Sequence, residues 1–179
     1  SPSEPYTEQE LEQLDAWIRA GGTAMVTLSP QAWRAGSVDM LEALAPDFEL
    51  TTPDGDTTSL GDVDGDDFPE KRGRLRLTSD LLDVDGLAVG ARHRSDGAGD
   101  SDYDYYRDTR SSWGDSLLSS TQGTDVARIK KLGDGFLIVF LQDEFWRNHT
   151  LGYSEVDAPT SFNREAIELA YRVLNFLKR

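Results

Sequence analysis

Residues 7–28 constrain the fold of this chain more than any other stretch, because they combine a helix, a glycine stop and a strand. Thr7 and Glu10 have the spacing of a capping box, which predicts that a helix begins there. Apolar residues then recur at helical spacing until two glycines at 21–22 end the pattern. The uncharged run 23–28 predicts a strand covered on both faces. A helix that passes directly into a buried strand indicates a layered α/β domain.

The composition excludes several functional classes. The chain has 179 residues, which is enough for one domain with a hydrophobic core, and a formal net charge of -15 at pH 7. This excess of negative charge argues against binding to duplex nucleic acid or to an anionic membrane surface. The sequence contains no cysteine, which excludes disulfides, thiolate catalysis and cysteine-ligated metals. No run of about 18 apolar residues is present, so we expect no membrane span in this chain.

The middle of the chain differs from its two ends. Residues from about 51 to 124 are polar and glycine-rich, and the alternating stretch 73–77 predicts an exposed strand there. Asp85 and Gly86 give a turn signal before the next apolar residues. We therefore expect a single α/β domain over residues 1–179, with a polar β and loop insertion at about 51–124.

The last part of the chain is regular again. The run 136–141 is apolar throughout and predicts the central strand, and Gly-Asp-Gly at 133–135 predicts a tight turn before it. A final helix is predicted from about 162 to 177. The residues expected on its buried face are Phe162, Ile167 or Ala166, Leu169, Ala170, Val173, Leu174 and Leu177.

The loop after the predicted central strand carries the main candidate site. Ligands of open α/β sheets bind beyond the carboxyl ends of the strands. Carboxylate, guanidinium, amide and imidazole groups follow one another in this loop, and together they could bind a ligand or transfer protons. The candidate residues are Asp143, Glu144, Trp146, Arg147, Asn148 and His149. The alternative is structural, with Asp143 and Asn148 capping the turn and Trp146 packing over the sheet.

Three other groups of polar or aromatic residues can be interpreted either as functional sites or as ordinary structural features. The acidic segment 62–70 could supply oxygen ligands to calcium, but it lacks the EF-hand spacing, and a solvated acidic loop is the alternative. His93 and His149 are the only histidines and lie far apart in the sequence. The tyrosine-rich run 103–106 has the composition of a recognition loop, or its rings fold back on the sheet. We predict neither a metal site nor a cofactor.

Two stretches resemble a bacterial domain family of unknown function, numbered 4350. They are residues 14–23, with the sequence LDAWIRAGGT, and residues 133–141, followed by Asp143, Phe145, Asn148 and Leu151. Asn163 resembles an asparagine near the start of the family's final helix, which adds it to the candidate binding residues. The resemblance implies a three-layer, flavodoxin-like fold similar to class I glutamine amidotransferases, with an open, mostly parallel sheet and an antiparallel β extension.

The resemblance also implies a cellular setting. Members of the family sit between membrane-spanning segments and are often encoded near a MoxR-type AAA+ ATPase and von Willebrand factor A-like proteins. In the family a β-α-β unit precedes the helix that opens this chain, so that unit is expected to be missing here. Glutaminase chemistry needs a nucleophilic cysteine and is therefore excluded.

We therefore expect a non-enzymatic, membrane-associated accessory or interaction domain that binds a protein or small ligand at the 143–149 loop. The resemblance implies a protein partner at the membrane, from an AAA+ ATPase-associated complex, and an extracytoplasmic, periplasmic location. No nucleic-acid partner is expected. Two alternatives stay open. One is a carboxylate-dependent hydrolase or carbohydrate-active enzyme that uses Asp143 and Glu144, and the other is a calcium-stabilised binding domain.

Overall fold

The computed structural model describes residues 6–28, 37–51, 55, 57–59, 70–93, 103–142, 144–146, 151 and 161–178. Their helices are α1 (Glu8–Arg19), α2 (Ser37–Leu44) and α3 (Ser161–Leu177), with a short 3-10 turn at Glu144–Trp146. Their strands are β1 (Thr23–Thr27), β2 (Glu49–Thr51), β3 (Thr57–Ser59), β4 (Glu70–Arg72), β5 (Leu75–Ser79), β6 (Val84–Val89), β7 (Ala91–His93), β8 (Tyr103–Arg107), β9 (Asp115–Ser120), β10 (Asp125–Leu132) and β11 (Gly135–Phe140). None of the described helices is long and apolar enough to cross a membrane.

The predicted helix-to-strand joint at the start of the chain is confirmed. The backbone N–H of Thr7 donates to the Glu10 carboxylate at 2.8 Å, and the backbone N–H of Glu10 donates to Oγ1 of Thr7 at 3.3 Å. These reciprocal bonds form the capping box at the start of α1. Gly21 has φ +110°, a left-handed conformation that ends the helix and lets the chain reverse into β1.

Within the described part of the chain, the main sheet has six strands in the order β1-β11-β10-β9-β5-β6. Only β1 and β11 pair in parallel, and the other four neighbouring pairs are antiparallel. Short connections cause three of these four antiparallel pairs, because residues 133–134, 121–124 and 80–83 link consecutive strands and a parallel pair needs a crossover of about a dozen residues. The fourth pair, β5 and β9, joins strands that are distant in the sequence. The prediction of a mostly parallel, three-layer flavodoxin-like sheet is therefore wrong. The described chain is rich in β structure, with a mixed and largely antiparallel sheet.

β1 also differs from its prediction. It lies at one edge of the six-stranded sheet rather than inside it. Along the strand only Val26 is buried, and the side chain of Met25 is 38% exposed. The absence of charge from this stretch therefore did not signal burial on both faces. β11, by contrast, lies between two strands as predicted.

The middle of the chain contributes to the main sheet, because β5, β6 and β9 are three of its six strands. Leu75 and Leu77 of β5 are buried, so the predicted exposed strand has one covered face. The turn predicted at Asp85 and Gly86 is also wrong, since both residues lie inside β6 and the turn occupies residues 80–83. Two small sheets accompany the main one, with the strand orders β2-β3 and β4-β8-β7.

Two hydrophobic clusters lie against β11, and successive side chains of this strand enter them alternately. Ile138 and Phe140 belong to the first cluster, whereas Leu137 and Val139 belong to the second. α3 packs on the first cluster, and α1 and α2 pack on the second. β11, the most apolar strand, therefore packs against α3 through one cluster and against α1 and α2 through the other.

The buried face of α3 is narrower than predicted. Ala166, Leu169 and Val173 are buried, and Ala166 is thus the buried member of the predicted pair at 166 and 167. Leu174 was expected on the same face, but it is 54% exposed, and Ile167 is 42% exposed. α3 therefore presents apolar side chains to solvent as well as to the core.

Candidate interaction site

Most of the predicted site loop lies outside the described residues. This applies to Asp143, Arg147, Asn148 and His149. Residues 62–69 of the acidic segment also lie outside, whereas its last residue, Glu70, begins β4. The backbone of Glu144 lies in the 3-10 turn, which follows shortly after β11. The binding role expected for this loop stays a prediction.

Two predicted site residues are described and lie in or next to the core. Trp146 is half-buried and packs edge-to-face on Phe140, with ring centroids 4.9 Å apart. Its indole N–H is buried and makes no hydrogen bond in the described part of the chain. Asn163 is buried near the start of α3. Trp146 therefore packs the 3-10 turn against β11, and Asn163 lies inside the protein at the start of α3.

A groove that the sequence did not predict lies between the β5–β6 turn and α3. We call it the α3 groove, and its volume is about 310 Å³. Its lining residues are Asp80, Leu81, Leu82, Asp83, Glu168, Tyr171, Arg172, Asn175 and Phe176. Leu81 is 51% exposed and Tyr171 is 63% exposed, so the groove has an apolar and an aromatic side chain open to solvent.

Arg172 links the two sides of the α3 groove. Its Nε donates to the Glu168 carboxylate at 2.7 Å, and its Nη1 donates to the Asp83 carboxylate at 3.1 Å. Nη1 also donates to the backbone carbonyls of Leu82 and Asp83. The hydrogen bond that Arg172 donates to the Glu168 carboxylate raises the pKa of Arg172 above its ordinary value, so the guanidinium stays charged. This side chain holds the turn against the helix and fixes the shape of the groove.

The turn itself is held by local hydrogen bonds. The N–H of Leu82 donates to Oγ of Ser79 at 3.0 Å, and the N–H of Asp83 donates to the carbonyl of Asp80 at 3.3 Å. Asp83 has φ +52°, which aspartate tolerates better than most residues and which closes a four-residue hairpin loop. Hydrogen bonds within the hairpin therefore hold the turn that carries Leu81.

The surroundings of the α3 groove are acidic. A second open groove of about 310 Å³ lies on the β-strand side of the turn and shares Asp80 and Asp83 with the first. Asp85 also lines it. Among the described residues that line either groove, Arg172 is the one basic residue. An apolar centre beside several carboxylates favours a partner that carries apolar and basic residues.

The exposed apolar surface continues from the groove along α3. Ile167, Tyr171 and Leu174 stand at i, i+4 and i+7, so they share one side of the helix. Isolated exposed apolar residues are common in folded proteins. Here they adjoin a groove, and contiguous patches of that kind are typical of interaction sites.

A second polar cluster has a structural explanation. The Asp108 carboxylate pairs with Nζ of Lys71 at 2.6 Å and accepts a hydrogen bond from Oγ1 of Thr124 at 2.8 Å. Burial acts to raise the pKa of Asp108, but the bonds from Lys71 and Thr124 outweigh it and hold that pKa below its ordinary value. A paired carboxylate of this kind joins β4 to the β9–β10 turn and is poorly suited to accept protons at neutral pH.

Gln142 forms a similar clamp directly after β11. Its side chain accepts a hydrogen bond from the N–H of Arg107 at 3.2 Å and donates one to the carbonyl of the same residue at 2.8 Å. Gln142 is buried, so these bonds satisfy its amide inside the protein. Within the described ranges, no group of three or more His, Asp or Glu side chains is placed to hold a metal ion.

Comparisons with known proteins do not assign a family. No family model matches the sequence, and no curated protein matches it significantly. The chain is similar to a solved structure of an exo-β-1,4-mannosidase from Opitutaceae bacterium strain TAV5, with 12% sequence identity and a TM-score of 0.35. The match covers 94% of this chain and 23% of the mannosidase, so the chain spans about a quarter of that protein's length. A likeness of this size carries no argument about fold or function.

Proposed function

We propose that this chain is a non-enzymatic interaction domain that binds a protein partner at the α3 groove. The observation that carries the proposal is the exposure of Leu81 and Tyr171 on the two walls of one groove. Tyrosine and arginine are enriched where protein surfaces meet, and Arg172 already fixes the geometry between these walls. A rigid groove loses little conformational entropy when a partner binds.

The charge around the groove indicates the partner's chemistry. Asp80, Asp83 and Asp85 surround the turn, and the whole chain carries a formal net charge of -15. The partner segment should therefore combine an apolar anchor with lysine or arginine residues. Such an interaction weakens as salt screens the charges.

The 143–149 loop is the other candidate surface, as proposed from the sequence. A membrane-associated accessory role in a MoxR-type ATPase system, outside the cytoplasm, belongs to the same proposal. Its support is the resemblance of the two sequence stretches alone, and the flavodoxin-like fold implied by that resemblance is wrong. The partner's chemistry at the α3 groove does not depend on this setting.

An affinity pull-down from solubilised membranes, followed by titration of the recovered partner, tests the proposal. The double variant Leu81→Ala/Tyr171→Ala should weaken binding by about tenfold or more, because two interface anchors are truncated. Gln13→Ala, at an exposed position of α1, is the matched control and should bind as the wild type does. The triple substitution of Asp143, Arg147 and Asn148 tests the loop in the same assay.

Each outcome separates the alternatives. Loss of binding in the double variant alone assigns the site to the α3 groove. Loss in the triple variant alone moves the site to the 143–149 loop. Recovery of no specific partner contradicts the interaction function, and turnover on ester, phosphate and glycoside substrates would then be the next measurement.

A further inference from the structure

The two edge strands of the six-stranded sheet, β6 and β1, differ in how well they are protected from pairing with a further strand. At β6, the carboxylate of Glu165 in α3 accepts a hydrogen bond from the backbone N–H of Ala88 at 2.6 Å, and the β5–β6 register shifts after Leu77. A covering side chain and an irregular register both block further strand pairing. β1 has the sequence TAMVT, with no charge and no proline, and no described strand pairs with its outer edge. β1 thus keeps the features of an edge that accepts another strand.

The hydrogen bonds to β11 identify which groups of β1 point outward. The carbonyl of Gly22 accepts from the N–H of Phe136, and the N–H of Leu28 donates to the carbonyl of Phe140. The even-numbered residues of β1 therefore face β11. Because alternate residues of a strand direct their N–H and C=O groups to opposite sides, Thr23, Met25 and Thr27 direct theirs outward.

The sequence of β1 is nearly symmetric about Met25. If a second copy pairs in the antiparallel direction around a twofold axis at Met25, the two Met25 residues lie opposite each other. Thr23 then faces Thr27 of the second copy, and Ala24 faces Val26. The outward residues are those that become hydrogen-bonded pairs, in which each pair exchanges both N–H···O bonds. Like threonine pairs and apolar pairs across strands are favourable.

We propose that two copies of this chain pair through β1 in this antiparallel, twofold arrangement, which joins their six-stranded sheets. The inference does not rest on the proposed function, because it uses the opposite edge of the sheet from the β5–β6 hairpin. A twofold contact of this kind uses the same surface on both copies, as most homodimers do.

Exposure and charge favour a second copy over another occupant. Met25 is exposed, and so is Phe136, which lies on the same face of the neighbouring strand two positions from the partner of Met25. Strand pairing would set a second Met25 beside this one and so cover part of its exposed side chain. The chain is acidic, yet β1 carries no charge, so the contact sets no like charges opposite each other. A basic strand from another protein would find no carboxylate on β1 to complement it.

Single cysteines test the register, since the native chain contains none. With Met25→Cys, the two sulfurs face each other across a hydrogen-bonded pair, where the Cα separation of about 5.5 Å allows a disulfide. Thr27→Cys is the matched control, because it points to the same edge but lies opposite Thr23. The two copies of residue 27 would be more than about 13 Å apart.

Mild oxidation of the purified chain should therefore yield a cross-linked dimer with Met25→Cys and at least about tenfold less with Thr27→Cys. Circular dichroism checks that both variants are folded. Equal cross-linking of the two variants, or none in either, would overturn the proposed pairing.

Sedimentation velocity of the unmodified chain provides a test that needs no variant. The dimer fraction should rise with protein concentration, and also with salt, because salt screens the repulsion between two acidic copies. Met25→Lys sets two ammonium groups opposite each other and should raise the dissociation constant by about tenfold or more. A chain that stays monomeric at every concentration contradicts the proposal. A dimer whose dissociation constant is unchanged by Met25→Lys contradicts it as well.

Discussion

Replacing Gly135 by alanine tests how the β10–β11 turn packs on the joint between α1 and β1. A β-carbon at this position would lie 2.0 Å from the carbonyl oxygen of Gly22 and 2.1 Å from that of Ile18. Both obstacles are backbone atoms, and folded proteins essentially never show such contacts below 3.0 Å. The turn and the joint must therefore separate by about 1 Å, the difference between 2.0 and 3.0 Å.

The cost of this separation can be worked out from the bonds that cross it. The N–H of Phe136 donates to the carbonyl of Gly22 at 3.0 Å, and the N–H of Asp134 donates to that of Arg19 at 2.9 Å. Loss of both bonds costs about 1 kcal/mol each, and forced overpacking adds about 1–3 kcal/mol. We expect the free energy of unfolding to fall by about 3–5 kcal/mol. For a chain of this size, Tm should fall by roughly 6–20 °C.

Urea unfolding followed by circular dichroism and tryptophan fluorescence measures this loss. Gly123→Ala is the matched control, because Gly123 lies in the β9–β10 turn with φ +85° and no heavy atom within 4 Å of an added β-carbon. It should lose only about 1–2 kcal/mol, from the left-handed backbone alone. If the free energy of unfolding falls equally in the two variants, the β10–β11 turn is not closely packed against the end of α1.

Three further predictions concern the polar residues. The pKa of Asp108 is below its ordinary value of 3.8 in the folded protein, so its stabilisation is present above that value and is lost as the pH falls through the folded pKa. Asp108→Asn should flatten this part of the pH profile of urea midpoints, and an unchanged profile would argue against the pairing with Lys71. Gln142→Leu should cost about 1–3 kcal/mol in the same assay, because the partly buried N–H of Arg107 loses its acceptor, while the carbonyl of Arg107 keeps the bond from the N–H of Thr109; wild-type stability would contradict this. A chelator should leave Tm unchanged, whereas a lower Tm would mean that the acidic segment 62–70 holds a structural cation.

Structural features formed by residues that are close together in the sequence could be predicted from it. The capping box of α1 connects residues three positions apart, so its pattern is visible in the chain. The Gly-Asp-Gly turn at 133–135 and the apolar run after it likewise specify a hairpin and an interior strand. α3 was predicted for the same reason, from apolar residues at helical spacing.

Strand order and direction could not be predicted in this way. An uncharged run such as that of β1 is compatible with an interior or an edge position, and the difference depends on which distant strands complete the sheet. β5 pairs with β9, some forty residues later in the chain, and this pairing brings the middle region into the main sheet. The flavodoxin-like prediction extended the parallel β1–β11 geometry to strands that short turns make antiparallel.

The α3 groove was missed because it is formed by distant parts of the chain. Asp83 and Arg172 are 89 positions apart, and no local pattern connects them. One signal was available in α3, whose apolar residues cover more than one side of the helix. The predicted buried face held Leu174 as well as Val173, together with either Ile167 or Ala166, although adjacent residues of a helix cannot both point to the core equally.

The positions of the two proposed contacts allow them to act together. The α3 groove lies at the β5–β6 turn, whereas β1 forms the opposite edge of the sheet, and we expect pairing through β1 to leave the turn side of the groove open in both copies. A dimer would then carry two grooves and bind a surface with many partner copies more tightly than one groove does. We expect the wild type to dissociate from an immobilised partner more slowly than Met25→Lys does, because only the dimer can rebind through its second groove. Both proteins should bind a soluble, monovalent partner equally, and a difference there would show that Met25 itself contacts the partner.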